Sequence, residues 1–273
     1  MPISLDMSFR GAAAEQHLID AYHGGQALAG MGRTLQMISH YSVTGSVRRR
    51  IPFDDNMHVM LRPIRSGSVE AVFDFVTKPE TIVFGSVASS IAGAALWDFV
   101  KFIMQRTVGR ERLPDTEIVR ELDQERGGDI EALSEAIEPA IRNIHSPIGG
   151  TANKVVLIYG DNNNVVFDQA TKDYVDTSIK SEDLETLDVS VSSINVHDRT
   201  GRAYLADRHH TVRFEIAKDA APRTLPTLMA SLNEYAAKRE RWVSITFHAF
   251  RAPDGRIKKV RIFDAVPASD EPT

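Results

Sequence analysis

The sequence predicts an α+β protein of two domains: an N-terminal small sheet with helices, one of them Gly/Ala-rich and apolar, followed by a small β-barrel-like domain. Three observations predict it. Helical spacing with caps dominates the first 150 residues, period-two alternation dominates from Lys154 onward, and the strand pattern slips phase at Ser192-Ser193. A length of 273 residues suits two domains of ordinary size, and 42% hydrophobic with 25% charged residues is a globular composition that excludes wholesale disorder.

In chain order, Ile3, Leu5, Met7 and Phe9 alternate with Ser4, Asp6, Ser8 and Arg10 as a half-buried strand. Asp20 is the expected N-cap of a helix ending at Gly45, with Leu28, Met31, Leu35 and Ile38 as its apolar stripe. Met57 to Arg65 and Ser68 to Val76 read as strands joined at Ser66-Gly67, and Pro63 marks the first as an edge strand or the site of a bulge. Asp115 is expected to cap a short helix, Gly127-Gly128 to break it, and Asp129 to cap the next, in which Pro139 predicts a kink or an early end. Strands follow at Lys154 to Tyr159 and Val165 to Asp168. A short helix then carries Tyr174 and Val175. Strands recur at Leu187 to Val196, Arg202 to Leu205 and Thr211 to Ile216. A helix over 225–238 precedes the last two, near Val243 to Ala249 and Ile257 to Phe263. The slip between Val191 and Ile194 reads as a β-bulge, the device that bends strands around small barrels. The predicted domains are 1–113, a helical connection 114–150, and a strand-rich barrel 151–273.

The segment 81–104, TIVFGSVASSIAGAALWDFVKFIM, is the most unusual stretch. Gly85, Ser89 and Gly93 recur every fourth residue, so a helix there has one face without bulky side chains, continued by Trp97. A core helix, a self-association seam and a membrane span compete for it. The span is the weakest reading, because Asp98 and Lys101 follow only seventeen uncharged residues.

The chemistry is sparse. The absence of cysteine removes disulfides, thiolate metal sites and Cys nucleophiles. Nine histidines show no HExxH, and the loose group His197, Asp198, Asp207, His209 and His210 reads better as strand ends than as a metal site. No phosphate-binding glycine loop and no GxSxG elbow occurs, so no catalytic residue, cofactor or metal is predicted. A net charge of -5 argues against a protein that mainly coats nucleic acid, but leaves room for a local basic patch. Arg199, Arg202, Tyr204, Arg208, Lys259 and Arg261 are the candidate nucleic-acid residues, with Arg213 and Phe214 among them in the chain; a sheet edge protected by cations is the plainer alternative. The start MPISLDMSFRG lacks a basic stretch followed by an apolar run, so no secretory signal is read and a cytoplasmic location is expected.

The run LIDAYHGGQALAGMGRTLQMISHY, the Gly/Ala-rich helix ending in AALWDFVKF, and INVHDRTGRAYLADRHHTVRFEI together resemble a group of uncharacterised bacterial proteins made of two domains of unknown function. That resemblance implies no activity. The helix alone, through Gly85, Ser89, Gly93, Trp97, Asp98 and Lys101, is similar to segments of bacterial conflict and phage-defence effectors that associate or meet membranes. The leading expectation is therefore a non-enzymatic, self-associating homo-oligomer, a defence or stress effector with membrane contact as a lesser option. A nucleic-acid-binding barrel and an enzyme with an unrecognised site are the alternatives.

Overall fold

The computed structural model describes residues 3–62, 70–78, 89–110, 113–160, 163–205, 210–237, 239 and 242–268. The chain divides into two compact units, one up to Asp176 and one from Thr177.

The first unit is built on an antiparallel sheet in the order β2-β3-β1-β4-β5, with β1 at Ile3–Arg10, β2 at Met57–Arg62, β3 at Glu70–Thr77, β4 at Lys154–Tyr159 and β5 at Asn163–Phe167. The alternation read in β1 is real: Leu5, Met7 and Phe9 are buried, with Leu5 opposite Phe73 and Met7 opposite Leu157. Helix α1 spans Ala21–Thr44, capped as its sequence dictates. The Asp20 carboxylate accepts from the His23 amide at 2.8 Å, and Gly45, at φ 65°, returns its N–H to the Tyr41 carbonyl at 2.7 Å.

Two further helices, α2 (Ser89–Thr107) and α3 (Glu117–Ile144), complete the core with α1. The close helix contact lies where α1 meets α3. A Cβ added to Gly30 would sit 2.5 Å from the Ala140 carbonyl oxygen and 2.9 Å from the Asn143 Cβ, so only hydrogen fits there. The expected interruption of α3 at Gly127-Gly128 shrinks to one non-helical residue, Arg126 (φ -131°, ψ 33°), and Pro139 stays inside the helix. Nor does Asp115 supply the helix's N-terminal carboxylate. That group is Asp98 of α2, which accepts from the amides of Asp115 (3.0 Å) and Thr116 (2.7 Å) and from the Thr116 hydroxyl (2.8 Å), while Asp115 pairs with the buried Lys101. A short helix, α4 (Gln169–Asp176), ends the unit.

The barrel start expected at residue 151 falls inside this unit, and β4 and β5 do not belong to the barrel. Five residues of β4 pair with β1, from Lys154 opposite Arg10 to Ile158 opposite Asp6, and Val155, Val156 and Leu157 are all buried. A strand covered on both faces loses its alternation, and its pattern does not name its partner.

The second unit is a closed barrel of five strands, β7 (Glu185–Asn195), β8 (Thr200–Leu205), β9 (His210–Ile216), β10 (Val243–Arg251) and β11 (Ile257–Pro267), with β6 (Ile179–Lys180) added along β10. The order is β11-β9-β8-β7-β10, closed by β10 against β11, with β9 and β11 parallel. The predicted bulge is present as a register shift between Val191 and Ser193. Gly201 lies opposite Ile194, where a Cβ would meet the Ser193 carbonyl oxygen at 2.2 Å and the Phe214 ring at 2.3 Å. Helix α5 (Thr224–Ala236) packs on β7 and β11, and its Ser231 hydroxyl takes the Val191 amide at 3.1 Å.

Candidate nucleic-acid interface

Strict alternation sorts the barrel's side chains. Ala203 and Leu205 on β8, Val212, Phe214 and Ile216 on β9, Phe247 and Ala249 on β10, and Val260 and Ile262 on β11 fill the interior. Their neighbours in sequence therefore face outward. The register carries these outward residues into two rows that no sequence spacing reveals. In the first, Arg202 is opposite Arg213, Arg213 is beside Lys259, and Lys259 is opposite Phe250. In the second, Thr200, Glu215, Arg261 and His248 follow in the same strand order. At about 4.8 Å between strands, each row runs about 14 Å across the outside of the barrel.

Phe250 is the aromatic centre of this face. The Lys259 ammonium lies 4.5 Å from its ring centroid and the Arg261 guanidinium 5.4 Å, both within cation–π range. The Glu215 carboxylate accepts from Lys259 at 2.9 Å and from Arg261. Partial burial opposes ionisation of Glu215, but the hydrogen bonds and charges of Lys259 and Arg261 outweigh it and hold its pKa below the usual glutamate value. At its far end the second row is fixed by His248, whose ring meets Phe263 edge-on at 5.4 Å. Beyond the first row, Tyr204 tilts against Trp242 at 6.1 Å.

The sequence-predicted residues divide accordingly. Arg202, Tyr204, Lys259 and Arg261 lie on the outer face, together with Arg213. Arg199 does not join them: its φ of 54° belongs to the turn between β7 and β8, and its guanidinium donates to the Ala217 carbonyl at 2.9 Å. Phe214 is interior and offers no platform. Arg208 lies outside the described residues. Phe250 was missed, because alternation marks it as outward but nothing in β10 announces that two cations of β11 cover it.

The helix candidates separate too. Gly85 lies outside the described residues, and Ser89 opens α2. A Cβ on Gly93 would touch Ile3 of β1 at 3.7 Å, an ordinary contact within the same unit. Trp97, expected on a packing face toward a partner, is 2% exposed and packs on Tyr159 at 5.4 Å, because the run from Ala95 to Met104 is buried all round. Among the described residues no helix is long and apolar enough to cross a membrane, and no three His, Asp or Glu side chains gather where they could hold a metal ion. Of the histidine group, Asp198 is engaged with Asn195 in a turn, and Asp207 and His209 lie outside the described residues.

Fold and surface thus define a two-unit α+β protein that joins a helix-covered antiparallel sheet to a small closed barrel with a basic and aromatic outer face. The chain belongs to the family described as domain of unknown function DUF7946, whose model matches residues 5–176, and residues 183–266 match a second model, described as family of unknown function DUF7947. The two matches follow the two units, as the resemblance to a two-domain family implied. None of the curated proteins and none of the solved structures matches this chain.

Proposed function

We propose that the protein is a non-catalytic binding module whose barrel holds a single-stranded nucleic acid across β8, β9, β11 and β10. The observation that carries this reading is Phe250 flanked by Lys259 and Arg261, in register with Arg213 and Arg202. A base can stack on the Phe250 ring once Lys259 and Arg261, which lie over it in the free protein, swing aside to meet the phosphates, and such stacking needs no particular sequence. The overall negative charge does not oppose it: over residues 177–273 basic side chains slightly outnumber acidic ones, so the net charge of -5 arises from residues 1–176.

The test is fluorescence anisotropy with a labelled oligonucleotide, single-stranded and as a duplex, over a range of salt. Arg213, Lys259 and Arg261 offset by Glu215 leave about two phosphates to neutralise, so log K is expected to fall with log salt at a slope of roughly -1.4. Phe250→Ala should weaken single-strand binding by about 1–3 kcal/mol and leave the slope unchanged. Lys259→Ala should flatten the slope by about 0.7. A flat salt response, or a Phe250→Ala variant that binds like the parent, would sink the proposal.

Self-association through the Gly85, Ser89 and Gly93 face draws less support, since Trp97 is enclosed and Gly93 is turned to Ile3. Light scattering behind size exclusion is expected to return a monomer; a defined oligomer would restore that reading.

A further inference from the structure

The outer side of the barrel carries a second aromatic group, about 7 Å along β8 from Arg202, where the first row of cations ends. Tyr204 follows Arg202 by two residues, so both leave β8 on the same outer side. Across from Tyr204 stand Ser190 of β7 and Thr211 of β9, both short. Trp242 completes the group from the far side of Ser190. Its carbonyl accepts the Ala268 amide at 3.2 Å, which carries the β10–β11 ladder one residue beyond the pairing of Val243 with Pro267. In the same way, the pairing of Val243 with Val189 brings Trp242 beside Ser190. With Val243 inside the barrel, Trp242 faces out.

Neither ring belongs to the barrel's core, and both are half-buried. They meet at 6.1 Å and 47°, tilted and not lying flat on each other, with the buried Ser190 between their strand positions. The order of residues around the barrel gives the pair its meaning. From Phe250 on β10 the register leads through Lys259 on β11 and Arg213 on β9 to Arg202 on β8, then two residues along β8 to Tyr204, and back to β10 at Trp242. A row of cations therefore begins at one aromatic group and ends at another. Aromatic rings set among cations are the elements of a single-strand track, because every base offers a π-face and every linkage a phosphate.

We propose that Tyr204 and Trp242 form a second stacking step, so that one oligonucleotide runs from Phe250 along the cations to Trp242. This rests on the reading of the barrel as a single-strand site, and adds to it a residue, Trp242, and a path around the barrel. A base on each aromatic group leaves the phosphates between them to Lys259 and Arg213. Single-strand sites on small barrels cover about 4–16 nucleotides, and two aromatic steps separated by one row of cations define a site at the short end of that range.

The chain has two tryptophans, and Trp97 is enclosed in the core of the first unit at 2% exposure, so a change of emission on binding reports Trp242. The full chain is titrated with octathymidylate, labelled for anisotropy and unlabelled for tryptophan emission. Emission is expected to be quenched in step with the rise of anisotropy, and Trp242→Phe to bind without quenching. Trp242→Ala should weaken binding about fivefold to a hundredfold, the loss of one stacked base. A rise of anisotropy with unchanged emission, or a Trp242→Ala variant that binds like the parent, would overturn the second step and leave the Phe250 site standing. Quenching at the parent's affinity in Phe250→Ala would overturn the continuous track, because the strand at Trp242 would then not pass Phe250. Absence of binding by both measures would remove the track and the site together.

Discussion

His145 is 1% exposed, with Nδ1 2.9 Å from the Ile141 carbonyl and Nε2 2.9 Å from the Thr171 hydroxyl. A carbonyl only accepts, so Nδ1 carries the proton and the ring is neutral. Burial lowers its pKa to about 4, since the charged ring would lose its hydration, and nearby Lys172 adds to the effect while Asp168 and Asp176 oppose it. The unfolded chain binds that proton near pH 6.5 and the folded chain only near 4, so this contribution is complete above pH 6.5 and is lost as pH falls toward 4. By pH 5 the loss should reach about 2 kcal/mol, read from urea denaturation at a series of pH values. His40, also lowered by burial and by Arg48, acts in the same direction, so the decisive measurement is the change of slope in His145→Phe. An unaltered slope between pH 6.5 and 5 would show that His145 is not the group responsible. At this scale little was legible beforehand. His145 reads from the chain as one histidine beside a turn, and its burial follows from α3 and α4 meeting over it. Arg202 and Lys259 are plainly cations, but their common row depends on pairings of strands nearly fifty residues apart.

Elements were far more legible, because caps and periodicities are local physics. Asp20 and Gly45 bound α1 to the residue, and Ser192-Ser193 marks the bulge of β7. What the chain hides is which element touches which. The small-residue ladder of 81–104 invites a close helix contact. The contact that needs glycine among the described residues of the helices is instead Gly30 of α1 against the backbone of α3. Opposite responses to one extra methyl follow. Gly30→Ala should destabilise by about 1–3 kcal/mol despite alanine's better helix propensity, because the methyl meets backbone at 2.5 Å. At Gly93 the same methyl reaches Ile3 at an ordinary 3.7 Å, so Gly93→Ala should gain up to about 1 kcal/mol. Denaturant midpoints of the two variants decide it, and a destabilised Gly93→Ala would mean that the ladder has a tighter neighbour. Asp98 gives a further case: besides lying 3.8 Å from Lys101 one turn on, it is buried and holds the chain entering α3. Asp98→Ala should cost about 3–5 kcal/mol by taking one carboxylate from beside the buried Lys101 and leaving two amides unpaired. A loss below 1 kcal/mol would remove that role.

For the molecule as a whole, the sequence shows two domains but misplaces their junction, since β4 and β5 look like the opening of a strand-rich region and pair instead with β1. Hydrophobic pattern sets which face of a strand is buried and is silent on its partner, so a strand arriving some 140 residues after β1 could not be assigned from spacing. The corrected junction has a consequence for function. Among the described residues the buried apolar side chains form two core clusters, one ending at Val175 and one starting at Val189. The second is closed by its own strands and by α5, so residues 177–268 hold a complete core within the size range of single domains. Expressed alone, this segment should unfold in one cooperative transition and keep the single-strand affinity and salt slope of the full chain, because Arg202, Arg213, Phe250, Lys259 and Arg261 all lie within it. A folded barrel without nucleic-acid affinity, beside a full chain that binds, would move the interface off β8, β9, β11 and β10. A segment that fails to fold would show that the barrel core depends on residues before Thr177.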